Sequence, residues 1–482
     1  MSYPRIASHK DLESFREHLQ RMHPDMEVHA EPLGADSPLA RPFEHRGRTL
    51  ANRFAIHPME GWDGTTDGLP SELTLRRWRH FGASGADLVW GGEAFAVSPE
   101  GRANPNQLAR VPGADTLAGL RALRVELRTG REQAGLDPDG GWHGLQLTHS
   151  GRWARPTEAG PAPRVAFRHP VLDQRVGVVD DSAVLTDEEL ETIADGFIES
   201  ARLAEQAGFD FVDVKSCHGY LLHEVLAGRA RPGRYGGAFE QRTALLRRIL
   251  AGIGAACPEL EVAIRVSVAD LYPHAPGGED RIGAPDGDPV LPYRHGFGVD
   301  PDDPLRFDLE EPMRFLALLQ ELGVQLVNVS VGSPYYCPHV QRPAAFPPSD
   351  GYLPPEDPLR SVTRQLALVR AVKASFPSLT VVGSAYSYLQ DFLPHVAAHE
   401  VNAGHVDFIG LGRMVLSYPD LPRDVIAGRP LQRKRICRTF SDCTTGPRHG
   451  MVSGCFPLDP FYRQRPEAKE VRKLRPAAEG RA

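Results

Sequence analysis

The stretch DVKSCHGYLLHE, residues 213 to 224, gathers a lysine, two histidines, a tyrosine and a cysteine at the end of an apolar run. Lys215, His218, Tyr220 and His223 offer a cation, two imidazoles and a phenol. Two polar rings at a buried strand end need partners, so the segment points to hydrogen-bonding and proton-transfer chemistry on a bound molecule. Other strand ends carry matching chemistry. Gln146 and Arg265 supply an amide and a guanidinium, a pairing suited to a planar ring with carbonyl and N–H edges. Gly383 with Ser384, and Gly412 with Arg413, supply glycine-exposed amides beside an arginine, which makes a phosphate site. Some neighbours have blander readings: His223 as the start of the next helix, His149 and Arg152 as satisfied core or rim groups, Cys217 as a small buried filler.

A recurring theme must position these groups. Gly85-ADLVWGG, Gly208-FDFVDVK, Gly323-VQLVNVS and Gly404-HVDFIGLG each place a glycine after a helical pattern and before a short β-branched apolar run. They read as helix C-caps feeding buried parallel strands. The feeding helix over 187–207 keeps Leu190, Ile193, Ala194, Phe197, Ala201 and Ala204 on one face, and Thr186 with Glu189 forms its capping box. RFAIHPM (53–59), GLQLTH (144–149), EVAIRVS (261–267) and LTVVGS (379–384) complete eight runs, with amphipathic segments at 72–83, 117–129, 240–255, 310–322 and 358–375 between them. This order predicts an α/β fold, a (β/α)8 TIM barrel, with an open doubly wound sheet as the alternative. Long Pro/Gly/Asp-rich connections at 150–186, 269–309 and 331–357 follow strands, which puts them on the C-terminal face. The expected organisation is an N-terminal wrapping extension (1–48), the barrel (49–430) and a C-terminal extension (431–482), the extensions carrying no strong helix or strand period.

Composition narrows the partners. The 482 residues are 24% charged and 41% hydrophobic with a net charge of −7, enough for a large core and without the Lys/Arg runs of a nucleic-acid or membrane-surface binder. A small molecule is the expected partner, with no nucleic acid and no membrane; a homo-oligomer is compatible. No signal-peptide pattern opens the chain and no apolar run approaches the roughly 20 residues of a membrane span. Six cysteines without a dense framework fit free thiols in a cytoplasmic compartment.

NRFAIHPMEG, EAFAVSPEGR, GLQLTHSGR, CHGYLL followed by RYGG, IRVS and GLGRM together resemble the old yellow enzyme family of NADH:flavin oxidoreductases, over roughly residues 45 to 430. The resemblance implies a barrel that binds FMN and takes electrons from NADH or NADPH. By position, Pro58, Met59, Glu60 and Ala94 would line the flavin ring, Gln146 would pair with its pyrimidine edge, and Arg265 would stand where the reduced ring accumulates negative charge. Gly383, Ser384, Gly412 and Arg413 would hold the phosphate. Lys215 and His218 fall at the family's two carbonyl-gripping positions and Tyr220 at its proton donor. The expected reaction is hydride transfer through the flavin to an activated C=C bond.

Lys215 and Glu60 depart from the family pattern: a cation replaces a neutral donor, and a carboxylate replaces a small hydroxyl or thiol. Lys215 points to an anionic substrate, or to one whose oxygen becomes strongly so. Tyr220 with His223 supports a second reading, an FMN-dependent amine dehydrogenase or oxidative N-demethylase. Larger family members bind an iron–sulfur cluster through four cysteines near the barrel's end. Here Cys443 and Cys455 match two positions, Ile436 and Thr439 fall at the others, and Cys437 is one place out, so no metal is expected; free thiols are the default reading and a zinc site the alternative. With no second nucleotide-binding motif in the remaining residues, NAD(P)H and substrate are expected to visit one flavin face in turn, giving ping-pong kinetics.

Overall fold

The computed structural model describes residues 3–475. Eight parallel strands close into a barrel: β1 (Phe54–Ile56), β2 (Leu88–Val89 with Ala94–Ala96), β3 (Trp142–Thr148), β4 (Phe211–Val214), β5 (Glu261–Ser267), β6 (Leu326–Ser330), β7 (Thr380–Gly383) and β8 (Phe408–Leu411). β8 returns to β1 in parallel register, with Gly410 opposite Ala55. β2 is broken into Leu88–Val89 and Ala94–Ala96, and both pieces pair with β3, Leu88 opposite Trp142 and Ala94 opposite Gln146. Between them the chain covers six residues while β3 covers four, and Gly92 takes a left-handed φ of 48° to absorb the excess.

All eight runs read as strands are strands, because their residues are buried on both faces and carry no alternation to mislead. The connecting helices match equally well: α1 (Glu72–Ala83), α2 (Thr116–Gln133), α3 (Asp187–Gln206), α4 (Phe239–Ala256), α5 (Glu310–Glu321), α6 (Pro358–Ser375) and α7 (Leu393–Asn402). The Thr186/Glu189 capping box starts α3, and Gly208 at φ 85° ends it. The barrel interior near its N-terminal end is filled by Ala55, Leu88, Trp90, Phe211, Ala263, Leu326, Val382 and Phe408. A hairpin of Phe43–His45 and Arg48–Leu50 plugs that end, with Phe43 edge-on to Phe408 and His45 bonded to Thr380 and Glu261. Any site must therefore open at the other end.

The extensions have more regular structure than the sequence reading assigned them. Leu12–Met22 is a helix capped by Asp11, with Leu12, Phe15, Leu19 and Met22 along its packed stripe. The tail forms short helices at Asp442–Arg448, Pro460–Arg463 and Glu467–Lys473, too short for a period to register. Among the described residues no helix is long and apolar enough to cross a membrane.

Candidate active site

The strand ends surround an open cavity of about 290 Å³. Its lining includes Pro58, Met59 and Glu60 after β1 and Ala94 in β2; Gln146 and Arg265 come from β3 and β5; Lys215, His218 and Tyr220 follow β4; Ser384, Gly412 and Arg413 follow β7 and β8. Twelve of the fourteen residues singled out in the sequence thus line one cavity. Gly383 lies just behind it, facing the Tyr386 ring. His223 is turned away: its Nδ1 accepts from the Gly219 N–H at 3.0 Å and its ring packs edge-on to Phe297. That bond stitches the start of the Leu221–Ala227 helix, so His223 makes no pair with Tyr220 and takes the helix-start role.

The backbone explains why His218 and Tyr220 converge. His218 and Gly219 both adopt left-handed φ, 66° and 74°, a conformation that is free for the glycine and strained for His218. The turn swings the imidazole toward β6, where Nε2 lies 2.8 Å from Ser330 Oγ and 3.2 Å from Gln341 Nε2. Burial first, then Arg265 and Lys215, hold His218 well below the usual imidazole pKa. Lys215 Nζ lies 3.5 Å from the centre of the Tyr220 ring; burial lowers its pKa, while Cys217 and Glu60 oppose that. The Tyr220 hydroxyl donates to Glu60 Oε2 at 2.5 Å and lies 2.8 Å from the Tyr335 hydroxyl. Burial and Glu60 push the Tyr220 phenol well above its ordinary pKa.

Below the cavity, Asp213 organises the ring-reading groups. Its carboxylate accepts from Trp90 Nε1 at 2.7 Å, Gln146 Nε2 at 2.6 Å and the Arg265 backbone N–H at 2.7 Å. The Gln146 amide is thereby oriented, with Oε1 left as an acceptor for an N–H at the cavity. Arg265 keeps a buried Nε with no protein partner. His57, unnoticed in the sequence, lies beneath: its Nδ1 meets Asn328 Nδ2 at 3.1 Å and its Nε2 meets Ser384 Oγ at 3.3 Å, while burial and Arg265 depress its pKa well below normal.

The opposite end of the cavity is cationic. Arg413 donates to the Pro343 carbonyl at 2.7 Å, and its Nη1 is buried with no partner. Arg342, from the loop after β6, is half-buried beside it and bonds Thr444; desolvation and Arg413 pull its pKa down. A Cβ on Gly412 would meet nothing within 4 Å. Two guanidinia without carboxylate partners beside an open glycine suit a phosphate dianion. A cation-lined cradle for the phosphate at one end, and an acceptor amide and an unpartnered guanidinium at the other, fit FMN.

Sequence reading missed Arg342, Tyr335 and the tail. Cys443, Thr444, Ser453 and Cys455 line the cavity, and the Trp62 N–H donates to Ser453 Oγ at 2.8 Å. No local pattern flags such long-range closure; the only hint was three cysteines without a structural reason. Among the described residues Cys437, Cys443 and Cys455 do not bring three ligand atoms within 4.8 Å of one another.

Comparison with known proteins gives a consistent picture. Residues 38–283 match the model of the NADH:flavin oxidoreductase / NADH oxidase family. An NADH:flavin oxidoreductase of Gibberella zeae is 24% identical over 402 residues, 79% of this chain and 83% of that protein. Two solved structures share the fold. One is a 2-naphthoyl-CoA reductase in complex with 2-naphthoyl-CoA, with a TM-score of 0.67 and 18% identity over 90% of this chain, which spans only 58% of that chain. The other is an old yellow enzyme homologue from Zymomonas mobilis, with a TM-score of 0.53 and 20% identity over 80% of this chain and 91% of that one.

Proposed function

Because the chain belongs to the NADH:flavin oxidoreductase / NADH oxidase family, we propose that it is an FMN-dependent enzyme that uses NAD(P)H to reduce an activated C=C bond. The carrying observation is that Lys215, His218 and Tyr220 line the same cavity as Gln146, Arg265 and the Arg342/Arg413 cradle. Bound FMN supplies hydride transfer between nicotinamide and substrate. The protein's own groups do the rest. Gln146 and Arg265 orient the ring, and Arg413, Arg342 and Gly412 anchor the phosphate. Lys215 and His218 converge on a substrate oxygen and stabilise the negative charge that develops on it, where a buried cation acts without solvent screening. Tyr220, protonated at neutral pH, gives its proton to the α-carbon.

The second reading, amine oxidation, calls for a Tyr220–His223 pair, and His223 is engaged by Gly219 instead. One experiment separates the two. The yellow protein is mixed anaerobically with NADH or NADPH, then with an enone. Bleaching followed by recolouring supports the reductase; bleaching by N-methylated amines alone replaces it with the amine dehydrogenase.

A further inference from the structure

Tyr220 is the proton donor of the proposed reaction, yet in this structure its proton is directed at Glu60 Oε2, 2.5 Å away. A phenol that donates to a carboxylate cannot donate to a substrate, and the adjacent negative charge makes it a weaker acid. Glu60 itself sits half-buried on the cavity wall, where burial raises its pKa. Several groups face it from the packed elements. Lys215 and Tyr220 come from the end of β4 and Tyr335 from the loop after β6; the Asn104 amide donates to Glu60 Oε1 at 3.5 Å from the loop after β2. Behind it Glu93 is tied to Arg77, which also bonds Asp63 at 3.0 Å. Among the described residues Lys215 is the cation that opposes the effect of burial on Glu60, while Glu60 in turn raises the pKa of Glu93.

We propose that Glu60 is a positioning residue whose protonation releases Tyr220 for catalysis, an inference that rests on the reductase reading above. Ionised, Glu60 captures the phenol proton. Protonated, it donates its own O–H to the Tyr220 oxygen, freeing the phenol proton to point into the cavity. When the Tyr220 O–H bond breaks and the substrate's α-carbon C–H bond forms, the tyrosinate takes the Glu60 proton, and water returns one proton to the carboxylate. The Tyr335 hydroxyl, 2.8 Å from the same oxygen and carried on a ring stacked 4.3 Å from Trp153, holds the phenol in place through the exchange. The raised pKa of Glu60 places this exchange above the ordinary carboxylate range.

The test follows flavin reoxidation by an enone in stopped flow across pH, alongside carbon-13 NMR of labelled tyrosine in the holoenzyme, with Tyr220→Phe identifying the Tyr220 signal. In the wild type the reoxidation rate should fall tenfold per pH unit above the Glu60 pKa. Glu60→Gln, a permanent donor of nearly the same shape, should abolish that limb and lower the pKa of the Tyr220 phenol; Glu60→Asp should retain a displaced limb. An unchanged pH profile together with an unshifted Tyr220 resonance in Glu60→Gln overturns the proposal. The NMR arm reads the Glu60–Tyr220 coupling even if no enone reoxidises the flavin, so failure of the reductase reading is seen separately.

Discussion

Lys215 holds its ammonium group 3.5 Å from the centre of the Tyr220 ring, so the cation lies directly against the proton donor. The ring face offsets part of the charge's desolvation, and Cys217 and then Glu60 also oppose it. A buried cation should select for negative charge on the substrate. Lys215→His is expected to lower kcat/KM for a carboxylate-bearing enone by about tenfold or more, the value of a charged hydrogen bond, and to affect a neutral enone less. Steady-state kinetics with the matched pair checks this; equal losses would remove the cation's role in selection.

Arg413 and Arg342 should divide the phosphate between them. Replacing either with leucine is expected to weaken FMN binding by about 10- to 100-fold, while leaving riboflavin, which lacks the phosphate, almost unaffected. Quenching of flavin fluorescence on titration into the flavin-free protein gives both affinities.

Gly410 faces the His57 imidazole so closely that an added Cβ would fall 2.1 Å from Cε1 and 2.5 Å from the Gly383 carbonyl oxygen. Neither neighbour is the free end of a flexible chain. Gly410→Ala should cost about 1–3 kcal/mol of stability through overpacking, read as a lower urea midpoint with an unchanged slope.

Asp270 lies buried after β5, accepting from the Tyr336 hydroxyl at 2.7 Å and the Leu271 N–H at 2.9 Å, and burial raises its pKa to about 7. A carboxyl with a raised folded-state pKa contributes stability that is complete below its unfolded value, near 4, and is lost as pH rises through 7. Asp270→Asn carries no such loss. Its stability relative to wild type should therefore improve by up to about 1.4 kcal/mol per pH unit between pH 4 and 7 and level off above. Denaturation at pH 5, 6, 7 and 8 tests the sign.

The barrel was legible because its signals are local: a glycine such as Gly208 or Gly323 ending a helix, followed by a run buried on both faces. Lys215, His218 and Tyr220 were legible for the same reason, since they crowd one strand end. His223 shared that crowding yet turns inward to Gly219, a choice made by the left-handed turn at His218 that no spacing displays. Arg342 and Tyr335 sit in an irregular loop, and Glu60 meets Tyr220 across 160 positions of chain. Contacts of that range depend on closure of the whole ring, so they were beyond any window of sequence.

Asp213 joins side chains or backbone of three neighbouring strands beneath the mouth. The platform that orients the cofactor-facing groups is thus fastened from below, by a contact that none of the long loops above it makes. Lineages diverging from such a scaffold are free to lengthen, shorten or exchange those loops and so acquire new substrates, provided this one buried carboxylate is left alone.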